Sequence, residues 1–252
     1  MADNKDLPNW VKLVTLKPNE AYDFFTSKRL TTSFRWTDVW AEEHNTAFTV
    51  AGMLKEDLLK TVQEKLAEAI ANGTSLHDFE KALTPKLIES GWWGKQEITD
   101  PSSGETRVAD LGSPARLKLI YEMNVRSAYA AGRWQQAERT KAAFPFMMYQ
   151  TMHDERVRAS HAEWDGIVLP IDDPFWDAHY PPNGWRCRCT VFPVDEDLIA
   201  EYQAAGQKIK RKAPKATMQT FVKDGKKIKV PKGIDPGFGH NVGKSRSAGV
   251  KR

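Results

Sequence analysis

The stretch that decides the fold begins His153-Asp154-Glu155-Arg156-Val157-Arg158 and runs through His161, Trp164-Asp165-Gly166 and Asp173-Pro174-Phe175-Trp176-Asp177. It closes on Pro181-Pro182-Asn183-Gly184-Trp185-Arg186-Cys187-Arg188-Cys189. Three short apolar runs frame it, at 146–151, 167–171 and 190–192. Each is brief and bounded by proline or turn residues, which predicts buried strands rather than helices. Asp165-Gly166, Pro182-Asn183 and Asn183-Gly184 are turn dipeptides, suited to reversing the chain between those strands.

Upstream the period changes. Leu54, Leu58, Leu59, Val62, Leu66, Ala69 and Ile70 recur at steps of three and four, with Lys55, Lys60, Glu64 and Glu68 opposite, the pattern of an amphipathic helix. Asn72-Gly73 ends it, and Ser75 with Asp78 starts another along Phe79, Leu83 and Leu87, which Pro85 should kink or shorten. Gly91 stops that helix before Trp92-Trp93, a pair suited to plugging the gap under two helices. Ser113 as N-cap and Pro114 at the first helical position open a long helix along Leu117, Ile120, Tyr121, Ala128 and Ala131, closed by Pro145. Helices first and short strands after argue for an α+β fold rather than a βαβ array. The expected organisation is a helical N-terminal region (1–93), an exposed connection rich in Gly and small polar residues (94–113), a long helix with the β-rich His and Cys-x-Cys region (114–206), and a basic, partly disordered tail (207–252).

Charge separates body from tail. From Gln207 onward there are 14 Lys and Arg against Asp224 and Asp235, a net of +12, so the first 206 residues carry −8 within a total of +4. Such a segment suits phosphate contact without base readout, with Lys208, Lys210, Arg211, Lys212, Lys215, Lys223, Lys226, Lys227 and Lys229 as the candidate contacts to double-stranded DNA and only Phe221 and Phe238 able to stack on bases. Its few apolar residues predict a tail that the body does not need in order to fold. The first ten residues carry Asp3, Lys5 and Asp6, and no run approaches the roughly 20 apolar residues of a membrane span, so no secretion and no membrane partner is expected.

The only cysteines, Cys187 and Cys189, flank Arg188, too close for an unstrained disulfide. On an extended chain both would face one way and could reach one metal. His161 and one of His153, His179 or Asp154 could complete a structural zinc site, since zinc favours imidazole and thiolate ligands. One C-x-C permits such a site without specifying it. Also open, and favoured by the common behaviour of free cysteine, is a reading in which both cysteines are small buried hydrophobes and His161 fixes a turn. A zinc-dependent hydrolase or nuclease built on His153, Asp154, His161 and the cysteines, with Glu155 or Glu163 as general base, is the enzymatic alternative.

The ordered set Asp154-Glu155-Arg156-Val157-Arg158, His161, Asp165-Gly166, Asp173-Pro174-Phe175-Trp176, Pro181-Pro182-Asn183-Gly184-Trp185 and Cys187-Arg188-Cys189-Thr190 resembles the signature of the Mu F-like head morphogenesis proteins of tailed phages. The likeness extends to Phe24-Phe25 with Lys28, Trp36, His44, Phe48-Thr49-Val50-Ala51-Gly52, Gly91-Trp92-Trp93-Gly94, Asn124-Val125-Arg126 and Ala131-Gly132-Arg133, and downstream to Gly233-Ile234-Asp235-Pro236-Gly237-Phe238, Asn241 and Gly243. The resemblance implies a minor capsid protein of low copy number at the portal vertex, acting in head assembly or in DNA packaging and delivery. It implies no enzyme and no catalytic residue. The implied partners are a portal protein, capsid or scaffold proteins and double-stranded DNA, in the virion and, during assembly, in the host cytoplasm. Some relatives add a toxin or nuclease domain; the short polar segment after Gly206 is expected to be the plain form.

Overall fold

In the computed structural model, which describes residues 18–215 and 217–244, helix α1 (Asn19–Thr26) buries Ala21, Phe24 and Phe25. Strands β1 (Arg29–Leu30) and β2 (Ala47–Phe48) then pair in parallel across a 3-10 turn at Ala41–Asn45. Helix α2 (Glu56–Asn72) buries Leu58, Leu59, Val62, Leu66, Ala69 and Ile70, and stops at Gly73 in the left-handed conformation. The Ser75 hydroxyl accepts the N–H of Asp78 at 3.1 Å and opens helix α3 (Leu76–Glu89). Pro85 lies inside α3 without ending it, because Phe79, Leu83 and Leu87 bury the stripe on both sides of it. Trp92 is buried as the expected plug, its indole N–H donating to the Gly52 carbonyl at 3.0 Å.

The segment 94–113 is more than a connection. Strands β3 (Lys95–Thr99) and β4 (Thr106–Asp110) form an antiparallel hairpin, mostly exposed, whose base carries Ala109 and Leu111 into the core. Its strands are too polar to show an apolar alternation, so the turn residues alone dominate the pattern. Helix α4 (Pro114–Thr140) has Ser113 as N-cap, accepting from the Arg116 N–H at 3.3 Å. Its Gly132 lets α1 pack closely, since a Cβ there would meet the Ala21 nitrogen at 3.0 Å.

The three expected strands form one antiparallel sheet. Strand β5 (Phe146–Gln150) is central; after the single-turn helix α5 (Ala159–Ala162), β6 (Val168–Pro170) pairs on one edge, and after helix α6 (Phe175–His179), β7 (Thr190–Val194) pairs on the other. Asp195 caps helix α7 (Glu196–Ala204). The protein is therefore α+β, and one apolar cluster runs from Ala21 to Val242 through both helical and sheet regions. No helix among the described residues is long and apolar enough to cross a membrane.

The described part of 207–252 is ordered, unlike the expected tail. Strands β8 (Met218–Lys223) and β9 (Lys226–Pro231) form a hairpin in full register. Asp224 and Gly225 both have positive φ, as a two-residue I′ turn requires. Beyond it Ile234, Asn241 and Val242 are buried, and the Asn241 amide donates to the Trp176 carbonyl at 3.1 Å. Three of the tail's cations, Arg246, Lys251 and Arg252, lie outside the described residues.

Candidate functional site

His161, Cys187 and Cys189 come together behind the central strand, their ligand atoms all within 4.8 Å of one another. Helix α5 supplies the imidazole, and a turn closed by Cys187 N–H to the Gly184 carbonyl, at 3.1 Å, brings in the sulfurs. His161 is only 2% exposed and stacks on Trp164 at 4.9 Å between ring centroids. Its Nε2 lies 3.0 Å from the Gly233 carbonyl, an acceptor only, so Nε2 carries the proton and Nδ1 presents its lone pair. That lone pair faces both sulfurs, Cys189 Sγ at 3.6 Å and Cys187 Sγ at 3.8 Å. The neighbouring Cys189 and the His161 ring hold the Cys187 thiol well below its ordinary range despite burial, whereas Cys187 and burial push Cys189 upward.

The C-terminal segment fastens this site from outside. Gly233, at φ +91, brings its carbonyl to His161, and a Cβ there would meet the Ser160 side chain at 2.8 Å. Two residues on, Asp235 accepts from both Arg158 terminal nitrogens, at 3.1 and 3.0 Å, and from the Trp185 N–H at 2.8 Å. Its own N–H donates to the Asn183 carbonyl at 3.0 Å.

The other residues proposed as ligands are engaged elsewhere. His153 is half-exposed with its Nε2 at 2.9 Å from both Asp165 oxygens, so it stands outside the His161 group. Asp165 is the reason: burial raises its pKa, but bonds from Thr151, Gln207 and His153 outweigh burial and keep it ionised. Asp154 is gripped by the Arg188 fork at 2.7 and 2.6 Å, which holds its carboxyl down to about 2. The His179 ring stacks on Phe175 at 4.2 Å and its Nδ1 lies 3.1 Å from the Phe175 carbonyl. The constellation wanted for a hydrolase, His153 and Asp154 beside the cysteines, is thus not assembled.

The basic residues of the C-terminal segment lie mostly at the surface. Lys208, Lys210, Lys212, Lys215, Lys226, Lys227 and Lys229 are exposed. Lys210 Nζ donates to the Glu163 carbonyl at 2.8 Å, and Lys229 Nζ to Thr220 at 3.1 Å. Arg211 pairs with Glu196 and covers the Phe146 ring; Lys223 pairs with Asp224 at 2.9 Å and lies over Trp40. Phe221 is taken up by the protein, stacked on Trp40 at 5.7 Å. Trp185 is 40% exposed and meets Trp36 and Phe238. These rings border a groove of about 720 Å³ that also reaches His44 and His240. Nothing in the local sequence marks it, because its walls come from segments more than a hundred residues apart.

The signature loops lie within a segment that matches a known family. Residues 60–192 match the family model described as Phage Mu protein F like protein. The chain is 42% identical to the putative capsid assembly protein F of Escherichia phage Mu over 176 residues, 70% of this chain and 40% of that protein. It is 35% identical to the Mu-like prophage FluMu F protein of Haemophilus influenzae over 226 residues, 84% of this chain and 53% of that protein. The protein belongs to the Mu F-like family. The chain spans about half the length, or less, of these curated relatives. No solved structure matches it.

Proposed function

We propose that this protein is a structural component of a tailed-phage head, a minor capsid protein acting in head morphogenesis at the portal vertex and touching DNA through its basic flank. The observation that carries the reading is family membership over both the helical and the sheet region, with a relative named for capsid assembly. The portal and the capsid or scaffold proteins are the protein partners under this reading, and the virion is its destination. The acidic body and basic hairpin also support a split of labour, protein contact on one side and phosphate contact on the other.

Particles made with and without the protein decide the matter. Heads lacking it should be malformed or empty by electron microscopy, and immunogold on intact heads should mark a single vertex. DNA-filled heads of normal shape in its absence, or label over the whole shell, would overturn the reading. DNA contact has its own readout in solution. If roughly five phosphates are engaged, log K for random-sequence duplex should fall with log salt at a slope of about −4.5. A slope near zero would remove DNA from the list of partners.

A further inference from the structure

We infer that His161 Nδ1, Cys187 Sγ and Cys189 Sγ hold a single zinc ion that ties the signature loops to the C-terminal segment, with solvent as its fourth ligand. The fit is geometric. Around a tetrahedral zinc with Zn–S of about 2.3 Å and Zn–N of about 2.0–2.1 Å, nitrogen and sulfur stand roughly 3.6 Å apart. The two distances from Nδ1 to sulfur are 3.6 and 3.8 Å. A single imidazole lone pair can accept only one S–H well, yet both sulfurs lie equally before it. One cation at the common point serves all three.

The surroundings are those of a ligand set. Zinc-bound imidazoles donate their other N–H to a carbonyl or carboxylate, which fixes tautomer and ring angle; His161 does this toward Gly233. Trp164 stacks on the ring and the site is buried, with both cysteines free thiols. Two sulfurs and one nitrogen favour zinc over magnesium or calcium, which take oxygen ligands. Among the described residues no fourth His, Cys, Asp or Glu joins the group. A cavity of about 80 Å³ borders both cysteines together with Arg126 and Arg133. It has room for water, which needs only about 10–15 Å³. Zinc here would join segments about 70 residues apart in sequence, through His161 and its bond to Gly233. Such an ion contributes directly to folding.

Metal content of the full-length protein, purified from zinc-supplemented medium, is the first measurement. About one zinc per chain is expected, released in step with mercurial titration of two thiols. His153→Ala and Asp154→Asn should keep the zinc, whereas Cys189→Ser should lose it at least tenfold. Should Cys189→Ser fail to fold, wild-type protein exchanged with Co²⁺ still tests the site: a thiolate-to-cobalt charge-transfer band with tetrahedral d–d bands is expected. Added azide should shift those bands by replacing the solvent ligand. Folded wild-type protein that holds less than a tenth of a zinc per chain, with both thiols freely titrating, would overturn the site. Zinc lost in His153→Ala, or cobalt bands that azide leaves unmoved, would overturn the solvent-completed ligand set.

Discussion

The signature loops of 153–189 and the basic segment of 208–231 touch along one line, where the Lys210 N–H donates to the Gly166 carbonyl at 2.9 Å, yet different physics holds each. The loops carry only short elements of their own, α5, β6 and α6. They are fixed by bonds between residues far apart in sequence, His161 to Gly233 and Arg158 to Asp235. The basic hairpin is fixed by an Asp-Gly turn and by one face, Phe221, Ile228 and Val230, against the body, while Lys227 and Lys229 project from the other. A region whose buried polar groups are engaged in holding shape has little left for a partner. The lysine face has few such duties, and its charge is available for recognition.

The largest expected effect tests whether the C-terminal segment belongs to the body. Burial holds both His44 and His240 near about 4, well below the ordinary imidazole value of 6.5. They are neutral in the folded protein, so between pH 6.5 and 4 the unfolded chain binds more protons. Stability is therefore full above about pH 6.5 and lost as pH falls toward 4, on the order of 3 kcal/mol per imidazole. Urea midpoints across that range should drop steeply for wild type and less for His44→Gln with His240→Gln. Parallel pH profiles for the two proteins would mean that these imidazoles are not held neutral by the fold.

Next comes the line where the two regions meet. Gly166 has φ +74, and a Cβ there would meet the Lys208 carbonyl oxygen at 2.0 Å, a backbone atom that cannot swing away. Gly166→Ala should cost about 2–4 kcal/mol in chemical denaturation, through backbone strain and separation of the two regions. A loss under about 1 kcal/mol would show that the hairpin side rests only loosely on the loops. The Asp235 clasp should be worth less, because it is partly exposed. Asp235→Ala removes the carboxylate that accepts from Arg158 and from the Trp185 N–H, leaving Arg158 only the Trp185 carbonyl, for about 1–2 kcal/mol, and should increase proteolytic cutting near Trp185. Equal protection would place the restraint on that loop elsewhere.

How far each region could be read from sequence follows the same division. Local signals were legible: Ser75 and Ser113 as caps, Gly73 as a stop, and three short strands marked by brief apolar runs. The juxtaposition of His161 with the Cys-x-Cys was also accessible, because few residue types favour that chemistry and two turns lie between. Its outer partners were not, since nothing near His161 points to Gly233, and Asp165 diverts His153 through bonds made only in the fold. The C-terminal hairpin was legible in principle. Asp224-Gly225 between Phe221-Val222 and Ile228-Lys229-Val230 is a hairpin pattern, which the density of charge obscured. Composition tells what the segment is made of, whereas alternation tells its shape.

The smallest expected change in stability carries the sharpest test of function. Lys226, Lys227 and Lys229 are exposed, and Lys229 also donates to the Thr220 hydroxyl at 3.1 Å across the hairpin. Replacing all three by alanine should change stability by no more than about 0.5 kcal/mol, as for exposed positions away from caps and cores. If each lysine meets one phosphate, the slope of log K against log salt should flatten by about 2.7, at roughly 0.9 for each phosphate no longer neutralised. Weakening should be the same for any duplex sequence, because bonds to phosphate carry no base information. A fall in stability comparable to that of Asp235→Ala would make these lysines part of the scaffold. An unchanged salt slope with unchanged stability would leave these lysines without DNA as their partner, and their charge would then be matched to an acidic protein surface in the head.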